Sequence, residues 1–258
     1  MANKEASPKI KKVRDLLEEV ERILPGRGAL YRGQPVDKPL LPKVARGEEE
    51  LDLTMQETDF LAVFRRRAWP FVDVDGLTDW QLLAIAQHWG APTRLLDWTE
   101  NALAALWFSL IGFDTKSADQ PVVWVLTPHE ADFYDDHEKG STPFDLRRTR
   151  LYRPDHVSSR ITAQHSVLSA HKYWEKGHYL ALEKQSKYRD RLTKVMVDGS
   201  RRNYLLEELD RLGINNATMY PDLMGLCQYL AARHEIVSKN QLIANHLQGP
   251  KMSAHLKP

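Results

Sequence analysis

Residues Gln87 to Thr99 set His88, Arg94 and Asp97 among bulky apolar neighbours, between two strongly apolar helical patterns. A charge carried into such surroundings costs several kcal/mol unless it is paired or hydrogen-bonded. The stretch therefore limits the folds open to this chain. Either Arg94 and Asp97 pair to hold two layers together, or they line a site. Upstream, Tyr31-Arg32-Gly33-Gln34 has the same character.

The flanking patterns predict the elements that would carry these residues. Val13, Leu16, Leu17, Val20, Ile23 and Leu24 recur at helical spacing after Ser7-Pro8, up to Pro25-Gly26. Ala29 to Arg32 reads as a short strand ending at Gly33, and Glu48 to Ala68 as one or two helices. Thr78 with Gln81 has the form of a capping box, opening a helix that Gly90 ends. Thr93 to Asp97 reads as a strand or extended turn. Thr99 is placed to cap the next helix, whose Ala102 to Leu110 are apolar nearly all round and so predict burial. Val122-Val123-Trp124-Val125-Leu126 is a strand bounded by Pro121 and Pro128. Arg160–Gln164, Ser166–Ser169 and Leu192–Val197 are further strand candidates, and helices are expected over Arg201–Leu212 and from Asp222 onward. Short strands between helices of unequal length predict one α+β domain. The expected division is an N-terminal helix (1–27), a main domain (28–249) and a frayed tail (250–258).

Composition excludes some classes of function. The 36 basic and 35 acidic residues nearly cancel, so a nucleic-acid partner has to be met by a local patch. Three basic clusters are candidates: Arg65-Arg66-Arg67, Arg147-Arg148 with Arg150 and Arg153, and Arg201-Arg202. A cluster of this kind is more often a solvated face. No apolar run approaches the ~18 residues of a membrane-spanning helix. The N-terminus lacks the apolar core of a secretory signal. With Cys227 as the only cysteine, placed in an apolar helix and expected in the core, the reading is cytoplasmic.

Arg32 next to Gly33 suits a phosphate or carboxylate, because the guanidinium fork is bidentate and glycine permits close backbone approach. A surface arginine in a turn is the alternative. His88 falls in the last turn of its helix, where a cation is favoured for structural reasons alone. Arg160 and Gln164 share one face of a predicted strand, lining either a cleft or a solvated edge. The acidic stretch from His129 to Glu138 has neither zinc-type nor calcium-loop spacing.

Tyr31-Arg32-Gly33-Gln34, Leu40-Leu41-Pro42, Ala86 to Thr99 and Asn101-Ala102-Leu103 together resemble the FRG domain family, named for its aromatic-Arg-Gly motif. Arg160 to Gln164, Gly213-Ile214 and Tyr220 to Leu226 fit the same pattern, with Ser166 standing where the family tends to have glycine. The opening motif is similar to the first strand of ADP-ribosyltransferases. That likeness implies a small mixed, split sheet surrounded by several helices, with NAD as substrate and no metal. It implies an NAD-binding set of Tyr31, Arg32, Gly33, Gln34, His88, Thr93, Arg94 and Trp98. In this set Arg32 grips the pyrophosphate, Thr93 and Arg94 form a second-strand wall, and Tyr31 or Trp98 stacks on nicotinamide. The implied catalytic set is Arg32, Asp97 and Gln164. Gln164 stands where such transferases carry a glutamate, and Asp97 is the substitute acid.

Three functions stay open on this reading. The first is an NAD-dependent ADP-ribosyltransferase, a toxin or anti-phage effector with an antitoxin partner. It would modify a nucleic acid, RNA favoured, or a translation component, with Arg65, Arg66, Arg67, Arg147, Arg148 and Arg150 meeting the strand. The second is a non-catalytic module that binds a nucleotide or a protein. The third is a metal-dependent nuclease built on residues 129–138.

Overall fold

The computed structural model describes residues 9–24, 28–46, 53–134, 141–154, 164–174 and 178–234. Eight short strands are assigned: β1 (Leu30–Gln34), β2 (Leu95–Thr99), β3 (Val122–Leu126), β4 (Arg150–Tyr152), β5 (Ser166–Ala170), β6 (Tyr173–Trp174), β7 (His178–Tyr179) and β8 (Leu192–Met196). The main helices are α1 (Val13–Ile23), α2 (Leu53–Arg67), α3 (Asp79–His88) and α4 (Ala102–Ile111). After them come α5 (Ser186–Arg189), α6 (Arg202–Arg211), α7 (Asn216–Met219) and α8 (Leu223–Arg233). The α+β expectation holds. The sheet is not mixed, however: six strands run in the order β4-β5-β2-β1-β3-β8 with antiparallel pairing throughout, and β6 and β7 form a separate hairpin.

Both faces of the sheet are covered, which explains why β3 is apolar along its whole length. On one face Val123, Val125 and Val195 meet α1, α4, α6 and Met219. On the other, Trp124 and Leu126 join Leu96, Trp98, Leu151 and Tyr188. A third cluster seats α2 and α3 against Leu95, Leu168, Ala170 and Tyr152. Alternation along β2 sends Leu96 and Trp98 to one core and turns Leu95, Asp97 and Thr99 the other way. Asp97 alone of these five is exposed.

The caps show how local chemistry sets the elements. Thr78 Oγ1 accepts from Gln81 N–H and Gln81 Oε1 from Thr78 N–H, the predicted box. Asn101 rather than Thr99 caps α4, its Oδ1 accepting from Leu103 and Ala104 N–H. Thr99 Oγ1 instead accepts from Asn101 N–H and donates to the Gln164 carbonyl at 2.6 Å. Gly33 does not end β1 but lies within it, opposite Val123. A Cβ there would come 1.8 Å from the Ala105 carbonyl oxygen, so glycine is what lets α4 lie on β1. Cys227 is exposed on α8 rather than in the core. Ser7-Pro8, Arg160 to Ala163 and the 250–258 tail lie outside the described residues.

Candidate active site

β1 and β2 share one register pair, Tyr31 opposite Thr99, and the sheet opens from there toward Gly33 and Asp97. Arg32 bridges the gap. Its Nη1 donates to the Asp97 main-chain carbonyl at 2.7 Å and lies 3.7 Å from Asp97 Oδ2. The opening forms a cleft of about 380 Å³, walled by Tyr31, Arg32, Gly33, Gln87, His88, Asp97, Trp98, Thr99, Gln164 and Tyr220, with the end of α4 above. Seven of the residues predicted for the site thus come together, from elements far apart in the chain.

Arg32 is mostly buried, and its Nε is enclosed with no hydrogen-bond partner among the described residues. Burial pushes its pKa down to about 10, against the pull of Asp97 and with the help of Arg46. It remains a cation at neutral pH, and an incompletely satisfied one. Such a group favours an anion brought to it.

Asp97 is held by a relay that begins in the backbone. Leu95 N–H donates to Thr93 Oγ1 at 3.1 Å, and the Thr93 hydroxyl donates to Gln87 Oε1 at 2.6 Å. This fixes the amide so that Gln87 Nε2 faces Asp97, donating to each carboxylate oxygen at 3.2 Å. Thr93 is therefore fully buried behind the site and supports Gln87 rather than walling the cleft.

Arg94 leaves the site altogether. It is not paired with Asp97: its guanidinium is fully buried against Glu57 of α2, with Nη2–Oε2 at 2.7 Å and Nε–Oε2 at 3.1 Å. Glu57 also accepts from the Arg94 N–H and the Tyr179 hydroxyl, and Arg94 Nη1 donates to the Pro143 carbonyl. The pair joins α2, β2 and the β6–β7 hairpin. Gln34 also lies elsewhere, in the opposite core, accepting from Trp124 Nε1 at 3.0 Å.

The remaining predicted residues fall as follows. His88 lines the cleft, its ring edge-on to Trp89. Trp98 touches the cleft wall but is almost wholly buried, its Nε1 donating to Ser169 Oγ at 3.0 Å and its ring packed in the core, so little of it is presented for stacking. Gln164 reaches the cleft, but its Nε2 donates to the Met219 carbonyl at 3.0 Å, tying the turn before β5 to the start of the Tyr220 segment. None of the six arginines assigned to a nucleic-acid strand lines the cleft. Arg65 is engaged with Asp79 and the Leu77 carbonyl, and Arg148 and Arg150 donate to the Ala131 carbonyl. Arg66, Arg67 and Arg147 are exposed.

In the acidic stretch, Asp132 is buried, accepting from His129 N–H and bonded to Arg191. Among the described residues no group of three or more His, Cys, Asp or Glu side chains is placed to hold a metal. Asp135, Asp136, His137 and Glu138 lie outside the described residues.

Sequence reasoning passed over Glu57, Gln87 and Tyr220 as site or network residues. Glu57 did leave a signal, since it sits at helical spacing from Leu61 and Phe64 on the inward face of α2.

Among the described residues no helix is long and apolar enough to cross a membrane. Comparison with curated proteins and with solved structures finds no match for the chain. The family model of the FRG domain matches residues 27–118, which include β1, β2, α4 and the Arg32–Asp97 contact, whereas Gln164 and Tyr220 lie beyond the match. This part of the chain, with the greater share of the cleft, matches the model of the FRG domain family.

Proposed function

We propose that the cleft binds NAD and that the protein transfers ADP-ribose from it to an acceptor. The observation that carries this reading is the Arg32–Asp97 pair. A desolvated guanidinium with an unpartnered Nε stands beside a carboxylate that Gln87 holds in the mouth of the cleft. Arg32 supplies the charge and the donors for a pyrophosphate. Tyr31 and Tyr220 provide aromatic walls for the flat rings of the ligand. In the reaction the bond from ribose C1′ to the nicotinamide nitrogen breaks, and its electron pair leaves with nicotinamide. The positive charge developing at C1′ is stabilised by the Asp97 carboxylate. An acceptor oxygen or nitrogen then bonds to C1′ and gives up its proton, for which Asp97 is the base.

The acceptor on this reading is a nucleic acid, RNA favoured, and the setting is that of a cytoplasmic toxin or anti-phage effector restrained by an antitoxin protein. A second reading, a module that binds a nucleotide without cleaving it, is favoured by one observation. Gln164, at the position implied for a catalytic glutamate, carries no charge and spends its amide donor on Met219.

Labelled NAD incubated with the protein and total cell RNA, DNA and protein separates the two, with NAD binding measured in parallel by calorimetry. Nicotinamide release with label in one acceptor class, lost in Asp97→Asn, supports the transferase. Binding of NAD with no release in any mixture selects the binding module, and absence of both overturns the two readings together.

A further inference from the structure

Beyond the cleft, the turn that leaves α2 presents an unusual surface. Ala68 is buried and holds the turn, accepting from Phe71 and Val72 N–H while its own N–H donates to the Phe64 carbonyl. The side chains on either side of this anchor point outward: Trp69 is 54% and Phe71 87% exposed, with Arg66 and Arg67 exposed just before them. Phe60 and Val63, also exposed, stand at helical spacing from Arg67 on α2. Exposed rings of this size are uncommon on a surface with no partner to cover them. Arg65 is paired with Asp79, whereas Arg66 and Arg67 make no ion pair among the described residues. Asp73 and Asp75 follow in the chain, and Asp73 is turned onto the Asp75 N–H at 3.1 Å.

We infer that this turn docks single-stranded nucleic acid, with unpaired bases stacking on Trp69 and Phe71 and phosphates meeting Arg66 and Arg67. Rings standing out from a turn reach bases only where they are unstacked and unpaired, which excludes a duplex as the ligand. The adjacent guanidinium groups supply the backbone charge that a purely apolar protein partner would not need. The inference does not depend on NAD chemistry in the cleft.

The test uses the full chain without NAD. Fluorescence anisotropy follows labelled single-stranded RNA and DNA oligonucleotides of about 12 nucleotides, within the span of known single-strand sites, and a duplex of the same length. Expected is binding of single strands over duplex, weakened roughly a hundredfold in Trp69→Ala/Phe71→Ala, since stacking on an aromatic ring is worth about one factor of ten per base and two rings are removed. In Arg66→Ser/Arg67→Ser the slope of log K against log salt should flatten by about 1.4, or ~0.7 for each phosphate no longer neutralised. The relative strength for RNA and DNA distinguishes the two sources of strand. All four side chains are exposed, so unchanged thermal melting of the variants is the control for folding. No binding at low salt, equal binding of duplex, or full affinity in both variants overturns the inference.

Discussion

The side-chain amide of Gln87 donates to both oxygens of the Asp97 carboxylate, 3.2 Å to each, and a buried threonine keeps that amide from turning over. The carboxylate is thereby held beside Arg32 without being consumed by it, since the closest approach of the two charges is 3.7 Å. Gln87→Leu should release Asp97 to swing onto the guanidinium. The expected outcome is a fall in nicotinamide release of about 10- to 100-fold, the scale of a misplacement near 1 Å. NAD affinity should change much less. Single-turnover release and calorimetric binding measure the two effects, and a variant as fast as the parent would show that Gln87 does not position the acid. Thr93→Val should act in the same direction.

Arg94 and Asp97 differ sharply in what they do for stability. Glu57→Ala leaves a fully buried guanidinium without its carboxylate and should cost about 3–5 kcal/mol. Asp97 is 59% exposed, and Asp97→Asn should fall within about 1 kcal/mol of the parent. Urea unfolding of both variants decides the point, and comparable losses would contradict the assignment of Glu57 as the partner of Arg94.

Gly33→Ala should be more damaging than its size suggests. The added methyl would sit 1.8 Å from the Ala105 carbonyl oxygen and 2.6 Å from Ser109 N, backbone atoms that cannot step aside. Overpacking on this scale is expected to cost about 3 kcal/mol, lowering Tm by roughly 6–12 °C in a domain of this size. Calorimetry reads this directly. An unchanged Tm would mean that α4 is not seated on β1 as described.

His171 predicts an acid-side loss of stability. It is fully buried, its Nε2 is shared with Ser169 Oγ at 3.2 Å, and burial, aided by the charges of Arg32 and Arg94, pushes its pKa down to about 3. The unfolded chain takes up this proton near pH 6.5 and the folded chain does not. Stability is therefore fully present above about pH 6.5 and declines as the pH falls, by up to ~1.4 kcal/mol per pH unit. Between about pH 6 and 5, above the main carboxylate range, His171→Gln should lower the pH slope of the unfolding free energy by about one proton. Equal slopes in parent and variant would place His171 in contact with water.

Much of the fold was legible because its signals are local. The Thr78–Gln81 box, the β3 run and the helix start at Asp222 each depend on residues within a few positions of one another. Where two capping oxygens competed, as at Thr99 and Asn101, the sequence could not rank them. Thr99 is drawn off by the Gln164 carbonyl, 65 residues away. The cleft was half legible: the motifs identified Arg32, His88 and Asp97, but not that Gln87 and Thr93 serve Asp97 or that Gln34 faces the opposite core.

What the sequence by itself determined was the identity of the charged residues in an apolar setting, and the cost of burying them made those residues worth singling out. What only the tertiary structure decided was the partner of each. Arg94 and Asp97 are three residues apart, but Arg94 stands in the bend before β2 and turns to α2, whereas Asp97 lies within the strand and faces the cleft, so nearness in sequence argued for the wrong pair. Glu57 reaches Arg94 because α2 packs where β2 begins. Arg32 reaches Asp97 because β1 lies between β2 and β3 in the sheet. Strand order and helix packing are settled by how all the apolar faces of the chain are buried together, and the spacing within a single segment carries no record of that.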